Sequence, residues 1–187
     1  MKLSPGQDAP LFFASTWDDQ PIELKVLRGK PVWLAFFRYA ACPLCNLRVH
    51  QMIQRFDAYQ SRGLQVLAVF QSPAEKMAEY VGKQAPPFPL IADPEEGLYA
   101  RYGLGNSLLG FAAPRNLKKA MEAARAGFVP GVPDGTVTRL PADFLIDAGG
   151  VIRDVYYAPE IGEHIPFERV EAFIDSQARA AAAQATP

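Results

Sequence analysis

The sequence predicts an α/β fold in which a central mixed sheet carries helices on both faces. Two nearly continuous apolar runs, at residues 31–37 and 64–70, are typical of strands buried on both faces of a parallel sheet. Each run is followed by a segment with apolar residues at helical spacing, which indicates right-handed strand-helix-strand crossovers. Two further apolar runs within residues 140–157 predict a hairpin of antiparallel strands.

The remaining elements follow from the residues between these runs. Residues 6–24 alternate in polarity around Asp18 and Asp19, which predicts an N-terminal hairpin. Residues 87–93 predict one more short strand. Helices are predicted at residues 43–60, 74–84, 94–104 and 166–181.

The chain of 187 residues is long enough for one domain with a substantial core, and we predict a single domain over residues 1–187. Residues 105–138 are too long for a plain connection, because they hold a basic helical run and then a loop rich in glycine and proline. We interpret them as an insertion that forms a flap or an interface. The alanine-rich end, from about residue 181, is predicted to be a frayed tail.

Charge and hydropathy narrow the classes of partner. The formal net charge is −1, so neither nucleic acid nor an anionic membrane is an expected partner. The N-terminus lacks the pattern of a secretory signal, and no apolar run reaches the ~18 residues of a membrane span. We therefore expect a cytoplasmic protein whose ligand is small or is another protein.

Cys42 and Cys45 are the only cysteines, and they form a Cys-x-x-Cys pair. In a reducing compartment such a pair is more often redox-active or metal-binding than a structural disulfide. A buried inert pair is one alternative. Another is a zinc site completed by His50 and His164, which requires that the fold bring both histidines to the cysteines.

Cys42 is predicted to stand at the N-cap of a helix, directly after a buried strand. Free backbone N–H groups and the helix dipole favour its thiolate and should lower its pKa by about one unit. A nearby cation would lower this pKa further, and Arg38 is the better candidate because it lies in the loop that leads to Cys42. Arg38 could instead be a solvated loop residue, and Arg48 is expected to be a charge on the helix surface.

Cys45 lies one helical turn after Cys42, so its side chain can reach the first sulfur while remaining further from the free N–H groups. This asymmetry predicts that Cys42 attacks and that Cys45 resolves, which closes a disulfide within the turn. Pro43 occupies the first helical turn, where proline is tolerated, and it limits the backbone freedom available for ring closure.

Four segments carry a resemblance to the peroxiredoxin-like (AhpC/TSA) proteins of the thioredoxin-fold superfamily. They are GQDAPLFFAS, PVWLAFFRYAACPLCNLR, FPLIADPEEGLYARYGL and LPADFLIDAGGVIRDVYY. The stretch RYAACPLCNLR, the insertion at 105–138 and IGEHIPFE are similar to the Cys-x-x-Cys subgroup that includes selenoprotein L relatives.

The resemblance implies a thioredoxin-like, peroxiredoxin-type fold and a thiol-dependent oxidoreductase without a metal or organic cofactor. It places Cys42 in the peroxidatic position and Cys45 in the resolving position. The implied substrate is a hydroperoxide or a disulfide, the implied reductant is a thioredoxin-like dithiol protein, and a homodimer is one candidate assembly. The alternatives are a thiol-disulfide oxidoreductase and a non-catalytic module that senses redox state or holds a metal.

The resemblance also implies supporting residues around the cysteine pair. Pro141 matches the place of a cis-proline that faces the cysteines and exposes the backbone of Leu140 for pairing with a substrate chain, although a trans-proline at a strand start is the alternative. From the topology, the loop with His164 should border the site, where His164 would donate a proton or merely cap a helix.

Two departures from the family pattern concern the chemistry directly. Typical members carry threonine or serine three residues before the attacking cysteine, within a Pro-x-x-x-Thr-x-x-Cys motif. Here Tyr39 occupies that position, and the expected proline is absent. Typical members also carry an arginine near the position of Pro141, and only Arg139 is close to it.

Overall fold

The computed structural model describes residues 1–184, and a five-stranded mixed sheet forms its centre. The strands are β1 (Phe13–Ser15), β2 (Pro21–Glu23), β3 (Val32–Phe36), β4 (Gln65–Phe70), β5 (Leu90–Ala92), β6 (Ala142–Ile146) and β7 (Ile152–Tyr157). The large sheet has the order β5-β4-β3-β6-β7, and β1 pairs with β2 in a separate antiparallel hairpin. The predicted mixed sheet and N-terminal hairpin are therefore confirmed.

Strand β3 is the central strand, and its neighbours determine which chain ends meet. It runs parallel to β4 and antiparallel to β6, with Phe36 opposite Ala142. In the last pair, Ala142 lies opposite Tyr157. The end of β3, the start of β6 and the end of β7 consequently lie at one edge of the sheet, and the cysteine pair follows β3 at that edge.

The helices are more numerous than predicted, and all but the last are shorter. They are α1 (Pro43–Ile53), α2 (Phe56–Gln60), α3 (Ala74–Glu79), α4 (Gly97–Arg101), α5 (Leu108–Phe111), α6 (Arg115–Arg125) and α7 (Phe167–Gln184). The single helix predicted at 43–60 is wrong, because it is interrupted between Ile53 and Phe56, where Arg55 departs from ideal helical angles with φ −107° and ψ −7°. The helix predicted at 74–84 likewise ends early and continues as a 3₁₀ turn at Val81–Gln84.

Apolar side chains cover both faces of the sheet, as the alternation along β3 shows. Trp33 and Ala35 pack in the cluster formed with α1, α2, α3 and α7, whereas Leu34 and Phe36 pack in the cluster formed with α4 and the N-terminal segment. Helices therefore lie on both faces, as predicted. Cys42 and Cys45 belong to the first cluster.

Helix α7 extends beyond the predicted end at residue 181. It is helical to Gln184, so the described part of the predicted tail continues the helix, and its fraying stays a prediction. Alanine has the highest helix propensity, which explains why this alanine-rich stretch continues the helix. Residues 185–187 lie outside the described residues. No helix within residues 1–184 has the length and apolar character needed to cross a membrane.

Candidate active site

The cysteine pair lies where β3 passes through a short turn into α1. Cys42 is the N-cap residue of α1, and its Sγ accepts a hydrogen bond from the backbone N–H of Cys45 at 3.4 Å. Pro43 begins the helix, in the first turn where no backbone donor is needed. Both thiols are free, and their residues are 0% and 1% exposed. The sequence-predicted N-cap position of Cys42 is thus confirmed.

Arg38 is the cation that the fold brings to the thiol. Its Nη1 lies 3.4 Å from Cys42 Sγ, and the residue is buried, not solvated. Its second terminal nitrogen, Nη2, donates to the backbone oxygen of Val137. The guanidinium carbon also lies 5.0 Å from the ring centroid of Tyr39. Arg38 is therefore held from three sides with one N–H group directed at the sulfur.

These contacts separate the acidities of the two thiols. Burial opposes ionisation of Cys42, but the hydrogen bond with the Cys45 thiol, the Arg38 charge and backbone N–H groups outweigh it and lower the pKa of Cys42 to about 6. Burial and the bond to Cys42 raise the pKa of Cys45 above its ordinary value. At neutral pH the Cys42 sulfur is thus mainly a thiolate, and the Cys45 sulfur is a thiol.

The turn before Cys42 is held by buried polar contacts. The Ala40 N–H donates to Ser72 Oγ at 2.7 Å, and Asn46 Nδ2 donates to the oxygens of Ala40 and Cys42 at 2.7 and 2.9 Å. Tyr39 is buried, and burial together with the Cys42 charge raises its pKa to about 12, so its phenol stays protonated. The backbone around the sulfur is therefore fixed before any substrate arrives.

The last part of the insertion, residues 127–138, covers the cysteines, and we call it the covering loop. Its Gly131 N–H donates to the Ala41 oxygen at 3.3 Å, and its Asp134 accepts a bond from Ser72 Oγ at 2.9 Å. Its Val137 oxygen receives the Arg38 bond described above. These contacts lie close to Cys42, which explains why neither sulfur is exposed.

His164 lies on the same face of the sheet, where it is joined to a buried carboxylate. Its Nδ1 is 3.0 Å from Asp143 Oδ2, and its ring centroid is 4.5 Å from that of Phe37. Trp33 Nε1 and the Ile165 N–H also donate to Asp143. Burial lowers the pKa of His164 despite the neighbouring carboxylate. The described contacts join His164 to Asp143 and not to a cysteine, so its role as a proton donor stays a prediction.

Residues 5–155 match the AhpC/TSA family model. The chain belongs to the AhpC/TSA family. A Mycobacterium tuberculosis protein named as a peroxiredoxin is 28% identical over 102 residues, which are 54% of this chain and 65% of that protein. The thiol-disulfide oxidoreductase ResA of Bacillus anthracis is 27% identical over 105 residues, 56% of this chain and 60% of that protein.

Solved structures of this fold superpose over nearly the whole chain. Peroxidoxin BcpB from Mycobacterium tuberculosis has a TM-score of 0.67 at 18% identity and covers 92% of this chain and 96% of its own. A thiol:disulfide interchange protein DsbE from Chlorobium tepidum has a TM-score of 0.62 at 20% identity and covers 94% of this chain and 99% of its own. Both support the thioredoxin-like fold predicted from the sequence.

Arg139 is near the position of an arginine in typical AhpC/TSA proteins. Its described contacts are with other groups than the two sulfurs. It is buried and forms an ion pair with Glu96, and its Nη1 donates to the Leu104 oxygen at 3.2 Å. Glu96 also accepts bonds from Gln71 and Thr136. This AhpC/TSA chain therefore uses Arg139 to join α4 to the end of the insertion.

The predictions for Leu140 and Pro141 need correction. Residues 1–184 contain no cis peptide bond, so Pro141 is a trans-proline at the start of β6. The Leu140 N–H donates to the Gly105 oxygen at 3.1 Å, and Asn106 forms a β-bridge with Arg139. The insertion thus pairs with the backbone that the AhpC/TSA resemblance implied would be free for a substrate chain.

The histidines do not complete a metal site with the cysteines. Within the described residues, no group of three or more cysteine, histidine, aspartate or glutamate side chains is arranged to hold a metal ion. His50 is exposed beside Phe128, and His164 is bonded to Asp143. The four-ligand zinc alternative therefore has no geometric support.

Sequence reasoning missed several residues of this AhpC/TSA site. Asp143 carried the clearest signal, because a carboxylate inside an apolar strand needs buried partners. Arg48 was expected on the helix surface, yet it donates to the Ile165 oxygen and its guanidinium lies 3.7 Å from the Phe167 centroid. No sequence pattern near Ser72 or Val137 indicated a role for the Ser72 side chain or the Val137 carbonyl, because only the fold brings them to the turn before Cys42.

Proposed function

We propose that this AhpC/TSA protein is a thiol-dependent oxidoreductase that reduces hydroperoxides. The observation that carries the proposal is the environment of Cys42 Sγ, which receives an Arg38 guanidinium bond and a helix N–H bond, each at 3.4 Å. A pKa of about 6 supplies a thiolate at neutral pH, and the thiolate is the nucleophilic form. Family membership and the mycobacterial relative support the same activity.

The first step is attack of the Cys42 thiolate on one peroxide oxygen. The S–O bond forms as the O–O bond breaks, sulfur is oxidised to the sulfenic acid, and the departing alkoxide or hydroxide takes a proton to become alcohol or water. Arg38 lies where it can stabilise negative charge near the sulfur. The proton donor is a water molecule or a site group such as His164.

The second step is condensation of the sulfenic acid with Cys45. The Cys45 sulfur, one helical turn away, attacks Cys42, and water leaves with the oxygen as the disulfide forms. An external dithiol protein then reduces this disulfide and is itself oxidised. A protein reductant needs access to Cys42, which is buried, so the site must open during each cycle.

A thiol-disulfide oxidoreductase is the second candidate. It is favoured by the 27% identical ResA relative and by Tyr39, which stands where typical peroxiredoxins carry threonine or serine. In this reaction the Cys42 thiolate attacks a substrate disulfide, and Cys45 releases the substrate thiol from the mixed disulfide. The same acidity difference between the two thiols serves both reactions, so substrate tests must separate them.

The decisive experiment traps the oxidised state of each single-cysteine variant. Cys45→Ser treated with one equivalent of hydrogen peroxide should give a sulfenic acid on Cys42 that dimedone captures and mass spectrometry locates. Cys42→Ser serves as the matched control and should give no adduct. If Cys45→Ser forms no adduct but traps a mixed disulfide with a disulfide substrate, and the unaltered protein reduces insulin disulfides, the second candidate replaces the first. If the adduct forms on Cys45 in Cys42→Ser, the assignment of roles is reversed.

A further inference from the structure

A cavity of about 490 Å³ lies away from the two sulfurs, between α1, α6 and the segment that enters α7. Helix α1 and the residues after it supply Arg48 and Arg55, α6 supplies Lys119, and the third wall contains His164 and Phe167. The insertion therefore builds one wall of this cavity through α6. Neither cysteine lines it.

Three cations face this cavity without an acidic partner in contact. The guanidinium carbons of Arg48 and Arg55 lie 3.7 and 4.0 Å from the same Phe167 centroid, so the two charges are close neighbours. Among the described residues, neither arginine nor Lys119 forms an ion pair within 4 Å. Two neighbouring positive charges repel each other, and an anion bound in the cavity near both would offset this repulsion.

The same cations have hydrogen-bond donors that the chain does not use. Arg48 Nε is buried and has no partner, although Arg48 Nη2 donates to the Ile165 oxygen. Lys119 Nζ makes one bond, to the Gly162 oxygen at 2.6 Å, and it has three donors. Buried donors are normally satisfied in folded proteins. Lys119 Nζ therefore has donors available to a ligand with acceptor atoms in the cavity.

Acidic groups also lie near the cavity, and Glu160, Glu163 and Glu122 act on Lys119 through their charge. Glu122 of α6 and Glu168 of α7 line it, but neither contacts a cation of the cavity within 4 Å. Asp143 lies behind His164 and already accepts bonds from Trp33 and Ile165. None of these carboxylates forms an ion pair with Arg48, Arg55 or Lys119 within 4 Å, so each cation can still pair with an anionic ligand.

We propose that this cavity binds a small organic anion through a phosphate or carboxylate group held by Arg48, Arg55 and Lys119. Leu44, Leu47 and Phe167 line the same cavity and offer apolar surface to the rest of such a molecule. The three cations act by charge and hydrogen bonding and take no part in the thiol chemistry. Its role does not depend on whether peroxide or disulfide is the substrate of Cys42.

Isothermal titration with inorganic phosphate and with succinate, at constant ionic strength, tests the proposal on the reduced 187-residue chain. At least one anion should bind saturably, and the one that does tells whether the group recognised is phosphate or carboxylate. Arg55→Gln and Lys119→Gln should each weaken binding by about tenfold or more, as expected for the loss of one charge-assisted hydrogen bond. Glu122→Gln, which removes a repelling charge, should tighten binding by about two- to threefold.

Arg62→Gln is the matched control, because Arg62 is paired with Asp175 at the surface and does not line the cavity. It should bind the anion as the unaltered protein does, and thermal unfolding should confirm that each variant is folded. Absence of saturable binding of both anions would overturn the proposal. Equal affinity in Arg55→Gln, Lys119→Gln and the Arg62→Gln control would also overturn it. A binding assay of this kind does not depend on peroxide turnover, so failure here leaves the proposed activity untouched.

Discussion

Removing the charge of Arg38 should raise the pKa of Cys42 and slow its reaction near pH 6. The perturbation is Arg38→Met, which keeps a long apolar side chain but removes the guanidinium that lies 3.4 Å from Sγ. The thiolate loses a stabilising cation, whereas the neutral thiol loses little. The equilibrium therefore shifts toward the thiol, and the pH at which half of Cys42 is ionised moves upward from about 6.

The size of this shift follows from Coulomb's law. Two unit charges 3.4 Å apart interact by about 1 kcal/mol at the dielectric constant of water and by about 5 kcal/mol at an effective value of about 20. Because one pKa unit corresponds to about 1.36 kcal/mol, the pKa should rise by at least about one unit even if water fills the space. At pH 6 the thiolate fraction should then fall about fivefold or more.

The assay is the rate of iodoacetamide alkylation of Cys42 between pH 4 and pH 9, followed by mass spectrometry. The midpoint pH of the alkylation rate reports the pKa of Cys42, and the rate at the high-pH plateau reports how accessible the sulfur is. Arg38→Met also loses the bond to Val137, so its plateau should rise while its midpoint moves upward. Arg38→Lys keeps a cation beside the sulfur, so its midpoint should stay close to that of the unaltered protein. An Arg38→Met midpoint within a few tenths of a unit of the unaltered protein would refute the role assigned to Arg38.

Three further changes test the surroundings of the site. Asp134→Ala removes the hydrogen bond between Ser72 and the covering loop. The alkylation rate of Cys42 at the high-pH plateau should rise by about two- to tenfold, as expected for one hydrogen bond, and the midpoint pH should not move. An unchanged plateau would argue that this bond does not hold the loop. Asp143→Asn places an amide N–H against one of the buried donors that now bond to the carboxylate. The free energy of unfolding measured in urea should therefore fall by about 2–4 kcal/mol. A fall below about 1 kcal/mol would contradict the contacts described. Gly110→Ala would put a Cβ 2.5 Å from the Pro159 oxygen, so it should cost about 1–3 kcal/mol in the same assay, while Gly105→Ala, with nothing within 4 Å, should unfold like the unaltered chain.

The parts of this structure that local sequence determines were predictable. Strand β3 is a continuous apolar run, and Cys42 with Pro43 forms an N-cap signature, so both the central strand and the helix start could be placed. Arg38 is only four residues from Cys42, which keeps the two within reach along the chain. The parallel pairing of β3 with β4 followed from the right-handed strand-helix-strand crossover that the sequence predicts.

The parts that depend on distant contacts were not predictable. Asp143 meets His164 and Trp33 across 21 and 110 residues, and no pattern within one segment encodes that meeting. The covered backbone of Leu140 depends on the path of the insertion, which returns to pair Gly105 with Leu140. Arg48 looked like a helix surface charge because its spacing is compatible with solvent, yet the start of α7 packs against it.

The most direct test of the central claim is a stopped-flow measurement of thiol loss when the reduced protein meets substoichiometric hydrogen peroxide at pH 7. We expect two thiols to disappear for each peroxide consumed, because Cys45 condenses with the oxidised Cys42. The rate should be at least about a hundredfold above that of free cysteine, because Cys42 is ionised and a cation is positioned beside it. A rate equal to that of free cysteine, or the loss of one thiol per peroxide without a Cys42-Cys45 disulfide, would contradict it.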